Sequence, residues 1–153
     1  AKMNRSPFEG EAFLAGLLHD MGKLVLDPHA QERKPLLDRF KNETGRSFLA
    51  GEKELFGFDH AEMGYEMCAR WQFPSPLATA IRYHHHPSRS MGQDLAYFVH
   101  VADALAVIAG YGVGTIGSVE HVDAPSLRHL DLRQEDLDQV TEEMKEHVEK
   151  MAA

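Results

Sequence analysis

Apolar residues recur at helical spacing along most of the chain, and the elements follow from where that spacing starts and stops. Between Phe8 and Leu26 the residues Phe13, Leu14, Leu17, Leu18, Met21, Leu24 and Val25 fall three and four apart, behind Ser6 and Pro7, a cap and first-turn pair. A helix apolar nearly all round is expected to be central to a core. Asp27-Pro28 stops it. The charged stretch from Gln31 to Glu43, with Leu36, Leu37 and Phe40 on one side, predicts a more exposed helix ending at Gly45, and a shorter one follows from Ser47 to Phe56.

Asp59 is a good N-cap for the next helix, which carries Met63, Met67 and Trp71 as an ordinary packing stripe and closes at Phe73-Pro74. Ser75-Pro76 opens another, with Leu77, Ala80 and Ile81 leading to a histidine run that Pro87 shuts. The strongest buried helix is Leu95 to Ile108. The glycine-rich piece Gly110 to Gly114 then reads as a loop, and a polar linker of about twenty residues leads to the last element. That is an amphipathic helix near Gln134 to Met151, with Leu137, Val140, Met144 and Val148 on one side and Asp131 with Gln134 as a capping box. No repeat and no alternating pattern long enough for a strand occurs, so the expected fold is an all-α, compact bundle of about six to seven helices.

The 153 residues suit one domain, so residues 1–153 are read as a single unit. Lys and Arg number 16 against 24 Asp and Glu, a formal charge of −8, the wrong sign for following a phosphate backbone. Nucleic acid is excluded as an expected partner. A small phosphate ester is not, because a bound divalent ion would dominate its local field. Cys68 stands alone, so no intrachain disulfide is expected and a reducing cytoplasm is the simplest location. The most apolar run, Leu95 to Ala109, is interrupted by His100 and Asp103 and falls short of the roughly 20 residues a spanning helix needs. Neither a membrane segment nor a signal peptide is predicted.

The candidate chemistry lies where polar groups interrupt apolar helices. His19 and Asp20 sit within Gly16-Leu-Leu-His-Asp-Met-Gly-Lys23, where charge is costly unless paired or bound to a metal. Lys23 follows on the same flank, and Gly22 leaves space near the backbone in which a phosphate could sit. A buried His-Asp pair closing a hydrogen bond is the plain alternative. The anomaly recurs at Asp103 in Val99-His-Val-Ala-Asp-Ala-Leu105. His60 begins a third helix one residue after its cap, and His84-His85 close a fourth on directions roughly 100° apart. Imidazole and carboxylate together suit borderline to hard divalent ions such as Fe, Mn, Ni or Zn.

The order His-Asp, His, His-His, Asp resembles the framework of the HD superfamily of metal-dependent phosphohydrolases. Finer features resemble its HDOD signalling subgroup: Phe13-Leu-Ala-Gly-Leu-Leu-His-Asp-Met-Gly-Lys-Leu-Val-Leu26, Phe56-Gly-Phe-Asp-His-Ala-Glu-Met-Gly64, Trp71-Gln-Phe-Pro74, Ala80-Ile-Arg-Tyr-His-His85 and Val101-Ala-Asp-Ala-Leu105. The resemblance implies that His19, Asp20, His60, His84, His85 and Asp103 match ligand positions for one or two divalent metal ions. It makes Asp20 the bridge between the ions and Lys23 the phosphate-side cation. In such a site the metal lowers the pKa of water and neutralises phosphoryl charge, so no protein nucleophile is required.

Two features depart from that pattern. The family normally supplies a further histidine upstream, yet only 18 residues precede His19 and none is histidine, so one metal position is expected to be incomplete; Ala1-Lys2 is not a natural start, which suggests a fragment lacking an upstream helix or domain unless Met3 is the initiator. His86-Pro87-Ser88-Arg89 does not continue into the Gly-Tyr-Pro loop of the cyclic-di-GMP phosphodiesterases called HD-GYP.

The leading expectation is therefore a signalling or output module that keeps the metal site and relays the state of a partner or upstream sensor. The alternative is an active phosphohydrolase on a nucleotide or other phosphate ester, and nothing selects a third, di-iron oxygenase reading. Outside the ligand set, His86 is read as a surface or supporting group and His100 as a hydrogen-bonded core histidine. His29, His121, His129 and His147 are read as solvated, and Arg82 and Arg89 as arginines flanking the histidine run.

Overall fold

The computed structural model describes residues 9–28, 35, 48–111, 122 and 124–152. Among them there is no strand, and the all-α expectation holds. Among the described residues eight helical segments of α type are seen: α1 (Glu9–Leu18), α2 (21–28), α3 (Phe48–Phe56), α4 (His60–Arg70), α5 (Ser75–Tyr83), α6 (Asp94–Ile108), α7 (Ala124–His129) and α8 (Gln134–Ala152). A short 3-10 turn, Pro87–Ser90, lies between α5 and α6. Apart from residue 35, which is helical, the helix expected from Gln31 to Glu43 lies outside the described residues, as does most of the glycine-rich loop. No helix among the described residues is long and apolar enough to cross a membrane.

α5 is the hub. It packs on α4, α6 and α1, and its Leu77, Ala78, Ala80 and Ile81 join Ala15, Met21, Cys68, Leu95, Ala96 and Val99 in the main core. Ala80, Ile81, Cys68 and Ala15 are sealed from solvent, so helices meet here at small side chains and close range. A second cluster, Val101, Leu105 and Leu137, ties α6 to α8 through Leu127, Leu130 and Leu132.

Several expectations need correction. The Phe8 to Leu26 segment is two helices separated by a turn at His19-Asp20, not one. Nor is it central all round. Ala15 faces the core, whereas Phe13, Leu17 and Leu24 are 71%, 66% and 76% exposed, because the small face of α1 is the one that packs. Trp71 likewise leaves the Met63-Met67 stripe, 58% exposed and edge-on to Phe73 at 5.9 Å. α5 stops at Tyr83, before the histidines, and Pro87 begins the 3-10 turn instead of ending α5. The polar linker contains α7, held by Leu127 against the second cluster. Asp131 has φ 53°, so it cannot be the extended N-cap of α8; the Arg133 N–H donates to Asp136 Oδ2 at 2.8 Å there. By contrast, Asp59 caps α4 as expected. Its side chain accepts from the Glu62 N–H at 2.8 Å while Glu62 accepts from the Asp59 N–H at 3.2 Å.

Gly22 and Gly64 explain how α2 reaches α4. A Cβ at Gly22 would collide with the His60 carbonyl group and stand 2.9 Å from Gly64 N; one at Gly64 would stand 2.8 Å from Ile81 Cγ2. The space beside Gly22, expected to admit a phosphate, is filled by the backbone of α4. Since the obstruction is backbone and not a flexible tip, Gly22→Ala is expected to cost about 3 kcal/mol, at the upper end of overpacking penalties. Urea unfolding checks this. A loss within about 0.5 kcal/mol, the range of neutral surface changes, would mean that the contact is not close-packed.

Candidate metal centre

His19 and His84 occupy equivalent places, each the first residue past a helix end. The His19 ring pairs its Nδ1 with the Gly16 carbonyl at 2.7 Å, and the His84 ring pairs its Nδ1 with the Ile81 carbonyl at 2.7 Å. In a continuing helix those carbonyls would accept from the N–H groups of Asp20 and His85. The imidazoles take that role, and α1 and α5 end there. A carbonyl oxygen can only accept, so both rings carry hydrogen on Nδ1 and direct Nε2 away from their helices.

His60 is oriented by a carboxylate. As the first residue of α4 it donates its backbone N–H to Glu52 Oε2 at 3.0 Å and pairs its Nδ1 with the same oxygen at 2.7 Å. Its Nε2 then lies 3.0 Å from His85 Nε2 and 3.3 Å from Asp20 Oδ1. The ring nitrogens of His60, His84 and His85 and a carboxylate oxygen of Asp20 all lie within 4.8 Å of one another, and these four residues could hold a metal ion.

Asp20 faces two ways. Oδ1 looks toward His60 and, at 4.0 Å, His84 Nε2. Oδ2 meets His19 Nε2 at 3.4 Å and the Lys23 ammonium at 2.6 Å. Asp103, half-buried on α6, stands outside the four-residue group but 3.6 Å from His19 Nε2. The structure therefore brings all seven sequence-predicted residues into one neighbourhood: Asp20, His60, His84 and His85 as a tight set, and His19, Asp103 and Lys23 along the other edge of Asp20.

Three atoms at this place, His19 Nε2, Asp20 Oδ1 and His84 Nε2, are buried without a hydrogen-bond partner in the protein. Unsatisfied polar atoms of that kind cost free energy unless something else occupies the space. The donor set fits a divalent cation: three imidazoles, two of them with Nδ1 committed to Glu52 and to the Ile81 carbonyl, beside a carboxylate.

Charge within the metal-free protein follows the same geometry. Burial opposes a charge on His19, yet Asp103 and Asp20 outweigh it and raise its pKa from 6.5 to about 10. Burial would likewise raise the Asp20 and Asp103 carboxyls, but His19 beside both, helped at Asp20 by Lys23, holds them below the usual carboxylate range. Burial, reinforced by the neighbouring imidazoles, pushes His84 well below 6.5, so its ring stays neutral.

Glu52, only 2% exposed, was not among the residues expected from sequence. A faint signal existed: it lies three residues after Leu49 and four before Phe56, on the apolar side of α3. His100 is the core histidine expected, 6% exposed and pairing its Nδ1 with the His84 carbonyl at 2.8 Å. His129 is not merely solvated, since its ring stacks on Tyr97 at 3.8 Å and pairs with Asp94 at 2.8 Å. Arg82 lies over the Tyr65 ring, 4.5 Å from its centroid.

These shifts give a signed pH dependence for chelator-treated protein. Unfolded His19 titrates near 6.5 but folded His19 near 10, so its contribution is complete below pH 6.5 and lost as pH rises toward 10. His84 acts in reverse: below pH 6.5 the unfolded chain takes up a proton that the folded ring refuses, and stability falls with pH. Unfolding free energy should peak near pH 6.5. The acid-side slope, about 1.4 kcal/mol per pH unit for one proton, should shrink in His84→Asn. A wild-type profile that is flat between about pH 5 and pH 9 would contradict both assignments.

Comparison with known proteins agrees with this geometry. The family model of the HDOD domain matches residues 1–87, a segment holding every residue of the tight set and ending before Asp103. A protein of Treponema pallidum (strain Nichols), described as an uncharacterized protein, is 28% identical over 76 residues, which are 50% of this chain and 15% of that protein. The chain thus spans a small part of that relative. No solved structure matches. With more than half its length matched and the His/Asp residues assembled, the chain belongs to the HDOD family.

Proposed function

We propose that the chain is a cytoplasmic signalling module that holds a divalent metal and passes the state of a partner or upstream sensor onward without turnover. The observation that carries this reading is the convergence of Asp20, His60, His84 and His85 around atoms that no protein group satisfies. Those four residues would hold one ion, drawn from Fe, Mn, Ni or Zn by the imidazole-carboxylate chemistry. Asp20, through its second oxygen, would bridge to a further position beside His19 and Asp103.

Lys23 favours signalling over hydrolysis. An ammonium meant for a phosphate ester should face open space, yet Lys23 Nζ is bonded to Asp20 at 2.6 Å. The further position is also thinly supplied, with His19 and Asp103 paired to each other. The second reading, a phosphohydrolase acting on a nucleotide or other phosphate ester, rests on the retained ligands. There the metal would supply Lewis acidity toward a phosphoryl oxygen. Asp20 and Lys23 would be the residues nearest the reaction, with Lys23 released to the phosphate and the histidines serving as ligands.

Protein purified without chelator should carry about one borderline divalent ion per chain by elemental analysis, lost in Asp20→Ala and His84→Ala. It should leave a generic phosphodiester uncleaved. Turnover abolished by Asp20→Ala would establish the hydrolase instead, and a wild-type protein that never retains metal would sink both readings.

A further inference from the structure

Glu52 belongs to none of the ligand positions, yet it is as deeply buried as His60 and His84. A carboxylate 2% exposed is costly unless its oxygens are used, and one of them accepts both hydrogens that His60 offers. Among the described residues, the links of α3 to α4 include the Glu52–His60 pair, and Lys53 reaching Asp59 at 3.2 Å and Glu62 at 3.1 Å. Lys53 is 48% exposed, so its ion pairs are screened and weak. The buried half of the clasp is Glu52.

We infer that Glu52 is a positioning residue that couples the seating of α3 to metal occupancy of the His/Asp group. The inference rests on the metal reading above and adds to it a route by which occupancy reaches the surface. Glu52 fixes the Nδ1–H form of His60, so the Nε2 lone pair points at Asp20 and His85, and its negative charge makes that lone pair a better donor. A cation on Nε2 draws density from the ring and makes Nδ1–H a stronger donor to Glu52. Each event therefore favours the other, and by linkage the two effects are equal in size. α3 grips α4 harder when the site is filled and loosens when it is empty, which gives a metal-dependent change in a surface helix.

The test uses the full chain stripped by chelator, titrated with Zn²⁺ and separately with Mn²⁺ against a competing indicator, with amide hydrogen exchange followed over residues 48–56. In wild type, metal should slow exchange across α3. Glu52→Gln keeps the size and an acceptor but not the charge. It should weaken metal binding roughly 10- to 100-fold, the usual effect of losing a group that orients a ligand, and remove the metal-induced slowing. Lys53→Ala, which cuts the exposed half of the clasp, should bind metal as wild type does. A Glu52 that only supports the fold would lower the melting temperature of Glu52→Gln but leave its metal affinity intact, and that result overturns the inference. So does exchange in wild-type α3 that is indifferent to bound metal, a measurement that needs no variant. Wild type that binds neither ion overturns the metal reading itself, and the coupling with it.

Discussion

The close approach of α2 and α4 at Gly22 and Gly64 is the contact on which the site depends. Gly64 follows His60 by four residues, so the two share a face of α4, and seating Gly64 against Gly22 carries His60 toward the turn that holds Asp20. Gly64 also lies against Ile81, whose carbonyl receives the His84 ring. One line of contact, from Gly22 through Gly64 and Ile81 to His84, thus sets the mutual positions of residues drawn from three separate parts of the chain. A side chain larger than hydrogen at Gly22 would meet the backbone of α4 and hold these helices apart, and no adjustment of the imidazoles alone would restore the distance.

The histidines serve structure and chemistry with the same atoms. His19 and His84 each hold a carbonyl that the next turn of helix would have used, and this ends α1 and α5 where a change of direction is needed. The nitrogen left over on each ring is the one turned into the shared space. His60 reaches the same outcome through Glu52, and His100 adds a further hold by binding the His84 carbonyl, which fixes the backbone of that turn. Orientation is thereby secured by short local bonds, and the energetic burden of the site falls on the few atoms left unsatisfied at its centre.

What could be read in the sequence follows from this division. Helix identities from Phe48 to Ile108 were legible because apolar periodicity, the Asp59 cap and Ser75-Pro76 are local signals. His19, Asp20 and Asp103 were legible because polar groups inside apolar runs are anomalous, whereas the full set with His60, His84, His85 and Lys23 came from the resemblance to the HD framework. The break at His19-Asp20 was not, since a histidine side chain competing for the Gly16 carbonyl leaves the hydrophobic spacing undisturbed. Glu52 was hidden for the opposite reason. On a helix rich in charge a further glutamate attracts no notice, and only tertiary contact reveals that this one is buried. Gly22 was read as open space because a glycine in sequence does not say whether a ligand or another backbone will fill the gap.

His19 shows how the parts act together. In the metal-free protein its proton stands between Asp20 and Asp103, serving as the counter-charge that lets two carboxylates approach one ring. That proton sits on the nitrogen a cation would need, so occupancy beside His19 must displace it and becomes more favourable as pH rises. The tight set on the other side of Asp20 carries no such penalty at His84, whose ring is already neutral. The two edges of Asp20 therefore differ in charge: burial keeps the His84 ring neutral on one, while two carboxylates keep the His19 ring protonated on the other.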